Sequence, residues 1–217
     1  MKKDQGITYY PVFLNVKGKK CVVVGGGQVA LRKVRVLLEH GADVEVIGPG
    51  LCPALVRLAE SGEIHALTRE YQEGDLKNAF VTIAATDNSD INQRVVMEAR
   101  RSAVLVNVVD DAGNSDFIVP SYLRRGDVTI AVSTGGKSPA LARKIRSRLE
   151  KELGDEYALL ACLIGEARDE VRQQGINLDG DSWQEAIDLD LLIDLLRKGE
   201  RERAKATLLS NLKTKQR

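Results

Sequence analysis

Aromatic residues make up only 4% of this 217-residue chain, which leaves few platforms for stacking the bases of a single-stranded nucleic acid. Lysine and arginine number 32 against 31 acids, a net charge of +1. Nothing in the overall field therefore draws the chain to nucleic acid or to an anionic membrane surface. No run approaches about 18 consecutive apolar residues, so no membrane-spanning helix is expected. The start, MKKDQGITYYPVFLNV, carries lysines but no long apolar segment behind them, and no export signal is expected. Cysteine is scarce. Cys21, Cys52 and Cys162 form no C-x-x-C pair, and an odd, scattered set fits reduced thiols in a cytoplasm better than a disulfide framework. The two histidines, His40 and His65, are too few for a His-rich metal site. Each reads as a surface or strand residue, and no metal site is expected.

What the chain does have is ordinary globular material, 43% hydrophobic and 29% charged, enough for one good domain and a smaller one. Its most informative stretch is KGKKCVVVGGGQVALRKVRVLLEHGADVEVIGPG, residues 17–50. Cys21 to Val24 is short, apolar and Val-rich, which predicts a buried parallel strand. Behind the glycines, Val29, Ala30, Lys33, Val34, Leu37 and Leu38 fall at helical spacing, with Lys33 the one polar member. Arg32, Lys33, Arg35 and Glu39 supply most of the polar face. Gly41 is the expected helix stop and Val44 to Ile47 the next strand. Strand, glycine turn, helix and strand form a βαβ unit, and Gly25, Gly27 and Ala30 fit G-x-G-x-x-A. In that motif the first glycine makes the turn, the second lets the backbone approach a pyrophosphate, and the third small residue lets helix and strand pack closely. The alternative is a tight turn with no ligand. The acid expected about 20 residues on, for a ribose hydroxyl, is missing. The strand ends in Gly48-Pro49-Gly50, Glu45 lies inside it, and no arginine stands nearby for a 2′-phosphate. The turn alone does not choose between NAD and NADP.

The alternation continues with a helix over Leu51–Glu60 and a strand over Ile64–Thr68. Next come a buried strand over Ala79–Ala85 and a helix over Thr86–Arg100, with Asp87, Asn88 or Ser89 as its N-cap. Val104–Val109 is a fifth strand. The fold class is α/β: a Rossmann-type doubly wound parallel sheet of order 3-2-1-4-5, then a small α/β dimerisation segment and a C-terminal helical module. The expected divisions are 1–112, 113–150 and 151–217. The crevice at the strands' carboxyl ends should gather the glycine turn, Ala85-Thr86-Asp87 and Asn107 to Asp111. Beyond residue 112, Phe117–Val119 and Val128–Ser133 read as two strand-like runs around a turn at Arg124-Arg125-Gly126-Asp127. Edges of that kind are often covered by another chain, which predicts a homodimer. Ser138 and Pro139 suit the N-cap and first position of a helix. From Tyr157 the chain reads helical, broken near Gly175 to Asp181. Leu189, Leu191, Leu192, Ile193, Leu195 and Leu196 serve as core, and RERAKATLLSNLKTKQR as a solvated, fraying helix.

Five segments in order carry a resemblance: YPVFLNVKGKKCVVVGGGQVALRKVRVLLEHGA, IAATDNSDINQRV, VNVVDD, DFIVPS and IAVSTGGKSPALARKIR. Together, across roughly residues 9–150, they resemble the precorrin-2 dehydrogenase family of sirohaem biosynthesis, some members of which are also sirohydrochlorin ferrochelatases. The C-terminal part fits in placement and size but carries no diagnostic motif. The resemblance implies an enzyme that uses NAD to oxidise the tetrapyrrole precorrin-2 to sirohydrochlorin, and the reduced thiols make a cytoplasmic location the expectation. The resemblance also implies cofactor contacts at Gly27, Gln28 and Val29, beside the motif's Gly25, then at Pro49 and Gly50, and at Thr86. The family's key aspartate ends the fifth strand, here Asp110, with Asp111 beside it as a competing choice. Some relatives carry serine where this chain has Thr134. Family members differ on iron insertion, so Fe²⁺ as a second substrate is left open.

A tetrapyrrole with several carboxylates needs cations and oriented N–H donors. Arg124, Arg125, Lys137, Arg143, Lys144, Arg146 and Arg148 are concentrated on one side of the matched region, and arginine suits bidentate carboxylate binding. Thr134, Gly135, Gly136, Lys137 and Ser138 precede a helix N-terminus, another natural anion site. Oxidation also releases a proton, which Asp110 is placed to accept. Two other readings stand beside this one. The chain could be an NAD-sensing regulatory module without turnover, or a dehydrogenase for another polyanionic small molecule.

Overall fold

The computed structural model describes residues 8–214. The reading of the chain's start falls partly on residues 1–7, and that of the tail partly on 215–217; these lie outside the described residues. The chain divides into two compact units, Met1–Val119 and Pro120–Arg217. Residues 113–119 therefore stay with the sheet unit.

The first unit runs β1 (Lys20–Val24), α1 (Gln28–Glu39), β2 (Asp43–Ile47), α2 (Pro53–Glu60), β3 (His65–Leu67), β4 (Val81–Ala84), α3 (Ser89–Arg101) and β5 (Leu105–Val108). Its sheet has the order β3-β2-β1-β4-β5 with every pair parallel, as the alternation predicts. The Val-rich β1 is central because both its faces must be covered. Cys21 and Val23 pack on one side with Ala30, Leu31 and Val34 of α1. Val22 and Val24 pack on the other with Val95, Val96 and Ala99 of α3. Helix α1 stops as expected: Gly41 takes φ +73° and donates its N–H to Leu38 O. Of the three cap candidates for α3, Asn88 takes the role. Its side chain accepts from Asp90 N and Ile91 N at 2.9 and 3.2 Å.

The connection from β3 to β4 has no regular structure, yet a buried carboxylate fixes it. Glu98 of α3 is 6% exposed and accepts from Tyr71 OH, Gly74 N and Leu76 N. With its oxygens hydrogen-bonded in this way, burial is tolerated. Burial and Glu98 together push the Tyr71 hydroxyl well above its ordinary range.

The second unit begins with an antiparallel hairpin, β6 (Ser121–Arg125) and β7 (Val128–Val132), followed by α4 (Pro139–Glu152). Here the structure corrects the sequence reading. Phe117–Val119 is not a strand. Phe117 packs against the first core and its carbonyl accepts from Asn107 Nδ2, so the segment is committed to the parallel sheet. The hairpin pairs Arg125 with Val128, which leaves the two-residue loop Gly126-Asp127, with Arg124 and Arg125 inside the strand. Gly126, at φ +56°, supplies the positive φ that such loops require. Strand β7 ends at Val132, one residue before Ser133.

Helix α4 starts as expected, with Ser138 accepting from Leu141 N and Pro139 in the first turn. Helices α5 (Glu156–Gln173), α6 (Gly180–Ala186), α7 (Leu189–Arg197) and α8 (Arg201–Thr214) follow. The expected break after Gly175 is present. Two more fall at Asp188, which caps α7, and at Gly199, φ +75°. Leu192, Ile193, Leu195 and Leu196 are core, whereas Leu189 and Leu191 are exposed. The tail is not merely solvated: Ala204, Leu208 and Leu212 of α8 are buried, because their four-residue spacing forms one packed face. No helix among the described residues is long and apolar enough to cross a membrane.

Candidate dinucleotide and acid–base site

Three backbone turns at the carboxyl ends of the strands meet in the first unit. A Cβ built on Gly25 would lie 2.3 Å from Ala85 O, and one on Gly26 would lie 1.8 Å from Gly50 O. The G-x-G-x-x-A pattern gives Gly26 no role; the loop after β2 shows why a third glycine is there. That contact is tightened by Cys52 N donating to Gly26 O at 2.8 Å. Gly27 differs from its neighbours. A Cβ there would meet nothing within 4 Å, and the same holds at Gly50. Gly27 is the N-cap of α1, and no side chain caps that helix. The first closing bond is Leu31 N to Gly27 O at 3.0 Å, so the N–H groups of Gln28, Val29 and Ala30 find no acceptor among the described residues. Open space over a glycine and uncapped first-turn N–H groups suit a pyrophosphate. Ala30 is fully buried, as close packing of helix on strand requires.

The one acid of β2 near the missing ribose acid's place is already engaged. Glu45 pairs with Lys20 Nζ at 3.1 Å. The strand ends at Ile47, and a Cβ added to the next residue, Gly48, would lie 3.1 Å from Gly26 N. Thr86 lies at the start of the β4–α3 turn, half-buried. Its hydroxyl is 2.8 Å from Asn92 Oδ1, and its carbonyl accepts from Asn92 Nδ2 at 3.0 Å. Pro49 and Gly50 are exposed in the loop against the glycine turn.

The end of β5 separates the two adjacent aspartates. Asp111 N donates to Val108 O at 3.2 Å, closing a turn in which Asp110 takes φ +60°. That is the third position of a type II turn, where glycine is favoured. Asp111 is tied down: its carboxylate accepts from Asn114 N and Asn114 Nδ2 at 3.1 and 2.8 Å. These bonds, the Asn114 side chain first, hold Asp111 below the usual carboxylate range. Ser115 Oγ donates to Asp111 O at 2.6 Å, and Val108 N donates to Ser115 Oγ at 2.9 Å. Asp110, by contrast, is exposed and its side chain has no hydrogen bond or ion pair among the described residues. Asn78 and Ala103 also take positive φ, so the backbone alone does not single Asp110 out; what distinguishes it is a carboxylate left unengaged at the end of β5.

The remaining sequence candidates belong to the second unit. Arg124 is exposed, with Nε donating to Gly126 O at 2.8 Å. Arg125 is half-buried and structural: its Nε and Nη2 donate to Leu153 O and Glu150 O at 3.1 and 3.4 Å, joining the hairpin to the end of α4. Gly135 and Gly136 take φ +61° and +82°. Thr134 Oγ1 accepts from Ser138 N at 2.9 Å, a bond that serine could also make. Lys137, Arg143 and Lys144 are exposed, while Arg146 and Arg148 pair with Glu150 and Glu152 along α4.

A parallel sheet of this order, with an uncapped glycine turn at its switch point, defines a dinucleotide-binding α/β domain. The family model described as putative NAD(P)-binding matches residues 12–121, just over half of the chain, and the chain belongs to that family. A second model, sirohaem biosynthesis protein central, matches residues 125–152. Among curated relatives, a siroheme synthase of Nitrosococcus oceani is 39% identical over 202 residues, 92% of this chain and 43% of the relative. One from Nitrosospira multiformis is 41% identical over 172 residues, 77% of this chain and 36% of the relative. The chain thus spans less than half the length of these relatives. The solved structure of SirC, a precorrin-2 dehydrogenase, shares the fold at TM-score 0.69. It is 23% identical and covers 95% of this chain and all of its own.

Proposed function

We propose that the chain uses NAD to oxidise precorrin-2 to sirohydrochlorin in sirohaem biosynthesis, as a cytoplasmic enzyme. The observation that carries the reading is Asp110: strained, unpaired, and set at the crevice end of β5 in a chain similar to siroheme synthases over 92% of its length. When bound, NAD⁺ supplies the hydride acceptor. The chain's own residues do the rest. Gly25, Gly27 and the first-turn N–H groups of Gln28 and Val29 hold the pyrophosphate, and Pro49, Gly50 and Thr86 border the rest of the dinucleotide. Asp110 accepts the proton that the macrocycle loses as its hydride leaves, so the substrate gives up two electrons and two hydrogens in all. Arg124, Thr134, Gly135, Gly136, Lys137 and Ser138 bind substrate carboxylates, and Arg125 supports them through the hairpin that it ties to α4.

The test is anaerobic mixing of the protein with precorrin-2 and NAD⁺. NADH and the sirohydrochlorin spectrum should appear together. NAD⁺ binding without turnover would favour a sensing module, and turnover of another polyanion a different dehydrogenase. A homodimer is part of the proposal. A two-stranded hairpin is marginal by itself, and α4 buries only Ala142 while leaving Leu141 and Ile145 exposed at 51% and 39%. Sedimentation at micromolar concentration should give a dimer. Iron insertion into sirohydrochlorin is a further part of the proposal. There Fe²⁺ is substrate, Asp110 takes the two displaced pyrrole protons one at a time and passes them to solvent, and a rate above the protein-free reaction with sirohydrochlorin and Fe²⁺ is the expected result.

A further inference from the structure

One half-buried cation in the first unit has no ion pair or side-chain hydrogen bond among the described residues. Lys33 sits on α1 at the flank of the buried stripe, three residues after Ala30 and four before Leu37, both of which are core. Its neighbours Arg32 and Arg35 are exposed, whereas Lys33 is half-buried. A partly desolvated ammonium normally finds an ion pair or hydrogen bonds. Lys33 has neither among the described residues. Burial draws its ammonium below the ordinary lysine range, Arg32 adds to the effect, and the negative charge of Asp110 opposes it. Asp110 is therefore within electrostatic reach of Lys33, yet no direct ion pair joins them. The packing agrees: Val109, next to Asp110, belongs to the same core face as Ala30 and Val34.

We propose, on the functional reading above, that Lys33 is a substrate-anchoring residue that binds one tetrapyrrole carboxylate beside Asp110. A cation in this place does two things. It offsets the repulsion between the substrate's carboxylate and Asp110, and it fixes which edge of the macrocycle faces the proton acceptor. Half-burial gives the ammonium a desolvation cost that a methionine would not carry, and a bound anion would offset it.

The experiment compares Lys33→Met and Lys33→Arg with wild type in three measurements: sirohydrochlorin titration without NAD⁺, NAD⁺ titration without tetrapyrrole, and thermal unfolding. Lys33→Met should bind sirohydrochlorin about tenfold or more weakly, the scale of one lost charge-assisted bond. It should bind NAD⁺ within about twofold of wild type and melt no lower. Lys33→Arg should keep tetrapyrrole binding within about threefold. Unchanged sirohydrochlorin binding in Lys33→Met overturns the inference, as does a loss confined to NAD⁺, which would make Lys33 a cofactor residue. A lower melting point with both affinities reduced would make Lys33 structural and also overturn it. Wild type that neither binds sirohydrochlorin nor oxidises precorrin-2 would instead refute the functional reading itself.

Discussion

Replacing Asp110 with glycine should make the protein more stable and nearly inactive. At φ +60° an L-residue bears a steric cost of about 1–2 kcal/mol, somewhat less for aspartate. Glycine removes that cost but adds about 0.5–1 kcal/mol of unfolded-state entropy. Asp110 has no hydrogen bond to lose, so the net gain should be about 0.5–1 kcal/mol, a rise of a few degrees in melting temperature. Turnover should fall roughly 10²-fold or more, the usual scale for a positioned proton acceptor. Ala103 supplies the control. It follows the C-cap of α3 at φ +54°, the position that Gly41 and Gly62 occupy after α1 and α2. Ala103→Gly should give a similar stability gain with unchanged turnover. Asp110→Asn keeps the shape and tolerates the same backbone, so it separates charge from geometry. Asp110→Ala is a poorer probe, because alanine is disfavoured at this φ. The assays are thermal unfolding by circular dichroism and NADH formation. An Asp110→Gly protein that is less stable while Ala103→Gly is more stable would refute the strain argument. Full turnover in both Asp110→Gly and Asp110→Asn would remove Asp110 from the chemistry.

Gly27→Ala should fold normally, since its Cβ meets nothing within 4 Å, yet weaken NAD⁺ binding about tenfold or more by filling the approach to the pyrophosphate. Gly26→Ala should instead lose stability through the 1.8 Å clash with Gly50 O; calorimetry and unfolding together distinguish the two. Thr82 is fully buried in β4 and its hydroxyl lacks a partner among the described residues, so Thr82→Val should stabilise by about 1 kcal/mol in urea unfolding. Asp75 is held low first by its side-chain bonds to Arg69, at 2.7 and 2.8 Å. A folded-state depression gives stability that is present above the unfolded value of about 4 and lost as pH falls through the lower folded value. Asp75→Asn should therefore flatten part of the acid limb of stability against pH, and an unchanged limb would refute the assignment.

The order of the parallel sheet was legible because its signals are local. Val-rich β1, the glycine run and the helical stripe of α1 each lie within a few residues, and the right-handed crossover rule leaves few ways to assemble them. The cap Ser138 was legible for the same reason, and the cap of α3 was narrowed to Asp87, Asn88 or Ser89, among which the structure chooses Asn88. What the sequence could not carry is contact between distant segments. Gly26 looks redundant until the loop after β2 arrives against it, and Glu98 looks like an ordinary helix-surface acid until the Tyr71–Leu76 connection folds onto it. Asp110 and Asp111 are chemically identical neighbours; only the turn closed on Val108 and the bonds from Asn114 make one a brace and leave the other unpaired. The hairpin moved because Phe117 has a place in the first core, a competition between burial sites that strand propensity does not see. The tail became a packed helix because Ala204, Leu208 and Leu212 found a hydrophobic face to cover. Local pattern determined which elements exist; the packing of one against another decided which polar groups are satisfied and which are left to bind.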